Sequence, residues 1–225
     1  MTLDRPFTTK TDWVYNRLRT EILEGSLKPD DRLRLTTLAR RFETSEMPVR
    51  EALRMLQRDG LVSFESHRGA TVVKLSLQRA AEIVAVRMHL EVLATAEATP
   101  HHDRGSIAEL SDILERMDRQ AQARQSQRFS EGNRRFHTLC YAPGPNRILQ
   151  EEIQTLWDRV WRARARSIFA LDPERMRAAQ KEHWAILEAI RASDAGAAAA
   201  AMERHRANTL ESWRMVVSAE ADGGA

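Results

Sequence analysis

Residues 45–62 read SEMPVREALRMLQRDGLV, and the spacing of their apolar side chains decides how the first third of this 225-residue chain folds. Ser45 is a good N-cap residue, and Pro48 falls early enough that its missing N–H costs nothing, so a helix begins here. Val49, Ala52, Leu53 and Leu56 recur at helical spacing as one apolar stripe, while Arg50, Arg54, Gln57 and Arg58 lie off it and can reach outward. Upstream, Leu35 to Phe42 (LTTLARRF) is a second short amphipathic helix, separated from Ser45 only by Glu43-Thr44, as a helix-turn-helix requires. Downstream, Asp59-Gly60 ends the second helix. Leu61 to Glu65 and Thr71 to Lys74 are β-prone runs flanking Ser66-His67-Arg68-Gly69, a hairpin with glycine at its tip. A helix-turn-helix followed by such a wing is expected to lie on duplex DNA. Ser45, Glu46, Met47 and Arg50 would then sit near bases or phosphates, with Arg68 and Gly69 of the wing near the minor groove or the backbone.

Charge placement agrees. Residues 1–76 hold 14 Lys or Arg against 11 Asp or Glu, and residues 77–225 hold 21 of each, so the whole excess of +3 sits on the candidate DNA-binding third. One copy would grip DNA poorly; a homodimer doubles the charge and adds a second half-site. A hydrophobic content of 42% supports real cores, and 30% charged residues argue for a soluble protein. No apolar run is long enough for a membrane span, and no secretory signal is recognisable, so the expected location is cytoplasmic. Cys140 is the single cysteine, which excludes an intramolecular disulfide and reads as small core filler in a helix.

The character changes near Ser76, where β-prone residues thin out and every later segment has helical period. Two domains are expected, 1–76 and 77–225, the second an antiparallel all-helical bundle of six helices. These run from Leu77 to Thr99, from a Ser106/Glu109 capping box to about Arg124, and from Ser126 to Tyr141. The fourth runs from Asn146 to about Ala170, the fifth from Asp172-Pro173 to about Ala192, and the sixth from Asp194 to about Ala219. The fold class is thus mainly α, a winged helix-turn-helix with a small β-hairpin plus a helical bundle.

Three histidines of the bundle, His137, His183 and His205, fall on different helices, with Asn133 one turn before His137. On spacing alone they read as ordinary packed or surface residues rather than as a shared metal site. Arg87 and Glu91 stand at i, i+4 and could pair on a wet helix face. Trp157 and Trp161 read as core, and Arg162, Arg164 and Arg166 as a solvated face.

The segment from Trp13 to Lys74 resembles the N-terminal domain of the GntR family of bacterial regulators, through VYNRLRTEILEGSLKP, LARRF, PVREALRMLQRDGLV and HRGATVV. It departs from the family pattern at Glu46, where an Arg that helps read the operator is common, and at Asp30, where Gly commonly follows Pro29. A carboxylate at Glu46 suits the helix dipole, repels phosphate and can accept from a cytosine amino group. RMHLEVLATAEA, NRRFHTLCYAPGPN and EHWAILEAIRASDAGAAAAAMERH resemble the FCD effector-binding domain of the FadR-type branch.

That resemblance implies a divalent ion such as zinc, nickel or manganese on Asn133, His137, His183 and His205, where metal-binding relatives carry Asp at the first position. The neutral amide makes the site weaker and more positive. It further implies that Arg87 points into the pocket and forks onto a small organic acid effector. The implied activity is a ligand-responsive transcriptional regulator, a repressor released from its operator by a carboxylic acid, and not an enzyme. The alternatives are a metal-responsive or effector-independent architectural DNA-binding protein, and a metalloenzyme. The bundle lacks the Glu-x-x-His pairs and the evident general base that a metalloenzyme would need.

Overall fold

The computed structural model describes residues 9–65, 69–73, 76–162 and 167–223. The chain forms two compact units, residues 1–75 with 158–163, and residues 76–157 with 164–225.

The first unit is built on α1 (Lys10–Leu23), β1 (Arg32–Leu33), α2 (Leu35–Arg41), α3 (Glu46–Arg58), β2 (Val62–Glu65) and β3 (Gly69–Val72). Its core is the predicted stripe of α3, Val49, Ala52, Leu53 and Leu56, packed with Val14 and Leu18 of α1 and Leu38 of α2. Both turns of the motif close by the same device, a left-handed residue that lets two backbone N–H groups fold back onto the helix just ended. After α2, Glu43 (φ 48°) and Thr44 donate to the carbonyls of Arg40 and Ala39. After α3, Gly60 (φ 71°) and Leu61 donate to those of Gln57 and Leu56. Ser45 occupies the N-cap position, but its side chain makes no capping bond, contrary to the expectation from sequence. Pro48 stands at the third helical position and lacks the N–H that an N-cap hydroxyl would take.

The sheet has three antiparallel strands in the order β1-β3-β2, one more than the expected hairpin. Thr71 of β3 faces Ser63 on one side and Arg32 on the other. The N–H of Asp30 donates to the Val72 carbonyl, and Val72 N–H returns a bond to Asp31, which sews the segment before β1 onto the wing. This explains the departure at Asp30. Its backbone is left-handed (φ 71°), a conformation that glycine adopts freely and Asp better than most other residues.

The elements of the second unit are all helical among the described residues: α4 (Leu77–Ala98), a 3₁₀ turn (Thr99–His101), α5 (Arg104–Gln122), α6 (Ser126–Tyr141), α7 (Arg147–Arg162, of which residues 158–162 belong to the first unit), α8 (Ile168–Leu171), α9 (Glu174–Arg191) and α10 (Ala195–Gly223). Two expectations are corrected. Helix α5 starts at Arg104, because Asp103 and Ser106 form the capping box in place of Ser106 and Glu109: the Asp103 carboxylate accepts from Ser106 N–H, and Ser106 Oγ accepts from Asp103 N–H. The single helix expected from Asn146 to Ala170 is two. Asn146 does cap α7 through Leu149 N–H, but Ser167 caps a separate short α8, which Phe169 anchors edge-on against Phe129 at 4.7 Å. Leu110, Leu114 and Met117 of α5, Phe129 and Phe136 of α6 and Ile186 of α9 are all buried, and α5 packs on both α6 and α9. At Gly132 a Cβ would lie 2.7 Å from Met117 Cγ, so the bare backbone lets α6 approach α5 closely. Cys140 is buried in this core, and burial pushes its thiol pKa far up, leaving it inert filler.

The left-handed turn at Asp30 sets a measurable cost. Asp30→Gly is expected to raise stability by up to about 1 kcal/mol and Asp30→Val to lower it by about 1–2 kcal/mol, read as shifts in the urea midpoint. A valine variant as stable as the parent would contradict the conformation described.

Candidate functional site

Two surfaces carry chemistry, one in each unit. On α3 the stripe is fully buried, so its opposite face is exposed: Ser45, Glu46, Met47 and Arg50 all lie open, Met47 at 65%. Arg50 and Glu46 approach to 3.9 Å, a loose surface pair that solvent screens. An unpaired large apolar side chain at the start of an otherwise polar helix face is what contact with a thymine methyl or a sugar uses. Gly69 begins β3 and is exposed; Arg68 lies outside the described residues.

In the second unit the sequence-predicted histidines meet. His137 on α6, His183 on α9 and His205 on α10 are almost wholly buried, and each offers a ring nitrogen such that the three lie within 4.8 Å of one another. His137 Nε2 and His205 Nε2 are 3.1 Å apart. Two nitrogens on a shared ion at ~2.0–2.1 Å would be separated by about 2.8–3.4 Å at octahedral to tetrahedral angles, so the pair is already at ligand spacing. Asn133, one turn before His137, is buried, and its Oδ1 has no hydrogen-bond partner among the described residues; the same holds for His183 Nε2.

Neighbours set the orientation of two of the rings. Glu182 Oε2 lies 2.7 Å from His205 Nδ1, which places the proton there and leaves Nε2 with its lone pair inward. Arg175 holds Glu182 by two bonds and also donates to the His205 carbonyl and Thr209 Oγ1. For His183, the Gln180 amide donates to the Leu114 carbonyl at 2.8 Å, which turns Gln180 Oε1 toward His183 Nδ1 at 3.4 Å. Its Nε2 is then the acceptor. Burial drives the pKa of all three imidazoles well below the ordinary histidine value, with the cationic Arg206 adding to it at each, Arg175 at His183 and His205, and neighbouring imidazoles at His137 and His183. They are neutral lone-pair donors, the form that binds a cation.

Arg87 and Glu91 do pair, but the wet face expected for them is wrong. Arg87 Nε is 3.3 Å from Glu91 Oε1, and both side chains are buried on α4. Two contacts sustain that burial. The Arg87 guanidinium lies 3.5 Å over the Trp157 ring, and Arg206 of α10 binds the other carboxylate oxygen, Glu91 Oε2. Arg206, Glu182, Arg175 and Gln180 escape a reading of sequence alone because the contacts that place them at the site, to Glu91, to His205 and to the Leu114 carbonyl, are cross-helix. Local traces are confined to same-helix spacings: Glu91 four residues after Arg87, Gln180 three before His183, and Arg175 seven before Glu182. Trp157 is core, as expected; the side chain of Trp161 and residues 163–166 lie outside the described residues, and with them Arg164 and Arg166.

Comparison with known proteins fits this arrangement. The profile of the FCD domain matches residues 82–208, and that of the gntR family of bacterial regulatory proteins matches residues 10–72. The HTH-type transcriptional regulator YdhC of Bacillus subtilis is 30% identical over 159 residues, 70% of each chain. McbR of Escherichia coli is 29% identical over 181 residues, 80% of this chain and 82% of its own. The repressor RspR of Escherichia coli is 26% identical over 209 residues, 93% and 91% of the two chains. The solved structure of Escherichia coli McbR/YncC superposes with a TM-score of 0.73 at 26% identity, covering 92% of this chain and 98% of that one. A regulator from Rhodococcus sp. RHA1 shares the fold at a TM-score of 0.70 and 21% identity. An exposed recognition-helix face and a helical unit with a polar core are thus joined in one chain, which belongs to the GntR family of bacterial regulatory proteins, carries an FCD domain, and is a DNA-binding transcriptional regulator.

Proposed function

We propose that the chain is a homodimeric repressor whose helical unit holds a divalent ion and releases the operator when a small carboxylic acid binds beside that ion. The observation that carries this reading is the convergence of His137, His183 and His205, three buried and neutral imidazoles within 4.8 Å. Burying three such groups without enough hydrogen bonds is unfavourable; a shared cation satisfies them together. Asn133 would supply an oxygen ligand. A bound ion supplies Lewis acidity and open coordination positions for a carboxylate, and Arg87 lies in the same unit to fork onto the acid. Ligand and operator then oppose each other through a coupling free energy on the order of 1–3 kcal/mol. On the DNA side, Ser45, Glu46, Met47 and Arg50 are the proposed contacts, with Gly69 and Arg68 in the wing.

Isothermal titration of the chelator-stripped protein with zinc, nickel and manganese should show one site per chain. His183→Ala should weaken it at least tenfold while circular dichroism stays helical; unchanged affinity would remove the proposed ion site. For the first unit, an operator selected from random duplexes should bind Arg50→Ala more weakly by about 1–3 kcal/mol, whereas Arg124→Ala, in the other unit, should bind like the parent.

Acid should destabilise the metal-free protein. Histidines in the unfolded chain titrate near pH 6.5, while the three buried rings stay neutral, so below that pH the unfolded state takes up protons that the folded state refuses. Their contribution is full above about pH 6.5 and declines on acidification, by up to about 1.4 kcal/mol per pH unit for each ring. The melting temperature is therefore expected to fall from pH 7.5 to 5.5, and to fall less in His137→Gln. An equal fall in both proteins would refute the assignment.

A further inference from the structure

The C-terminal end of α3 has a partner that the helix-turn-helix and the wing do not supply. A helix leaves its last four carbonyls without an intrahelical bond, here those from Leu56 to the cap residue Asp59. The Gly60 turn takes the first two, since Leu61 N–H donates to Leu56 and Gly60 N–H to Gln57. One guanidinium takes the other two. Arg159, 100 residues downstream of Asp59, donates from Nε to the Asp59 carbonyl at 2.8 Å and from Nη2 to the Arg58 carbonyl at 3.3 Å.

Arg159 lies on α7, in the stretch 158–163 that belongs to the first unit. Two further bonds tie that stretch and the end of α3 to α1. Asp158, buried and next in sequence to Arg159, pairs with Arg19, and the Asp59 carboxylate accepts from Tyr15 Oη at 2.6 Å. The guanidinium lies against the bare face of Gly60, where a Cβ would stand 3.2 Å from Arg159 Nε, closer than ordinary van der Waals contact. A cation at this place also meets the negative end of the helix dipole. Two bonds from one planar group fix the direction of the last turn as well as its distance, which a flexible ammonium would not do. Over the 13 residues of α3, about 20 Å, a change of about 3° in its axis moves the far end by about 1 Å, enough to spoil a hydrogen bond to a base edge.

We propose that Arg159 is a positioning residue for operator recognition. It holds the last turn of α3 by its two remaining carbonyls and so keeps the exposed face at the other end of that helix in register with the base edges. Residues 10–72, the span of the gntR family match, contain the reading face but not this clamp. The assignment rests on α3 being the recognition helix, which Arg50→Ala tests separately.

The test uses the full-length protein and fluorescence anisotropy, with an operator selected from random duplexes set against a random duplex of equal length. Arg159→Met keeps the aliphatic stem beside Gly60 and removes every donor. It should bind the operator at least about fivefold more weakly and the random duplex within about twofold of the parent, with the same slope of log affinity against log salt. Arg159→Lys, with one donor group for two carbonyls, should fall between the two. Unchanged operator affinity in Arg159→Met overturns the proposal. So does an equal loss on both duplexes, which with a shallower salt slope marks Arg159 as a phosphate contact. Hydrogen exchange separates positioning from a general loss of stability: in Arg159→Met the Gly60 and Leu61 amides should exchange faster while the Leu53 amide keeps its protection, and faster exchange at all three overturns the assignment. Should Arg159→Met fail to fold, Arg159→Lys serves alone, and a parent-like ratio of operator to random binding there overturns it.

Discussion

Val49, Ala52, Leu53 and Leu56 have no contact with solvent, and the constraint they impose runs through the whole first unit. A helix with one face locked into a core has no freedom to rotate, so the residues between those positions are held outward at fixed angles. Specific recognition of a base edge needs that rigidity, because a hydrogen bond is lost when the donor moves by a fraction of its own length. The Schellman turns at Glu43 and Gly60 serve the same end, fixing where α3 enters and where the chain leaves for the wing.

The helical unit follows the opposite rule at its centre. Most of its core is apolar, but imidazoles from three helices and an Arg–Glu–Arg cluster occupy the interior. Such groups are costly to bury, and an aliphatic core of equal volume would as a rule be at least as stable. Their retention makes sense for a domain whose stability depends on what it binds: a ligand that pairs these groups favours one packing of the helices over another. The same polar centre therefore ties recognition to shape.

Much of this was legible from residues. The 3.6-residue period marked α3, α5, α6 and α9, and one-turn spacing put Asn133 and His137 on one face. What escaped did so for identifiable reasons. Strand β1 is two residues long, too short for alternation to register, and exists because β3 offers it an edge. The break between α7 and α8 carries neither Gly nor Pro. Arg87 and Glu91 at i, i+4 looked like a surface pair because nothing local announces Trp157 stacking from α7 or Arg206 arriving from α10. Ser45 kept its position but not its bond, since Pro48 removed the donor.

Glu182 and His183 are consecutive on α9, yet they serve different rings: His183 is itself one of the three, and Glu182 steadies His205 on the neighbouring helix. A single helix therefore carries one ring and the tether of another, so the placement of α9 bears on two of the three imidazoles at once.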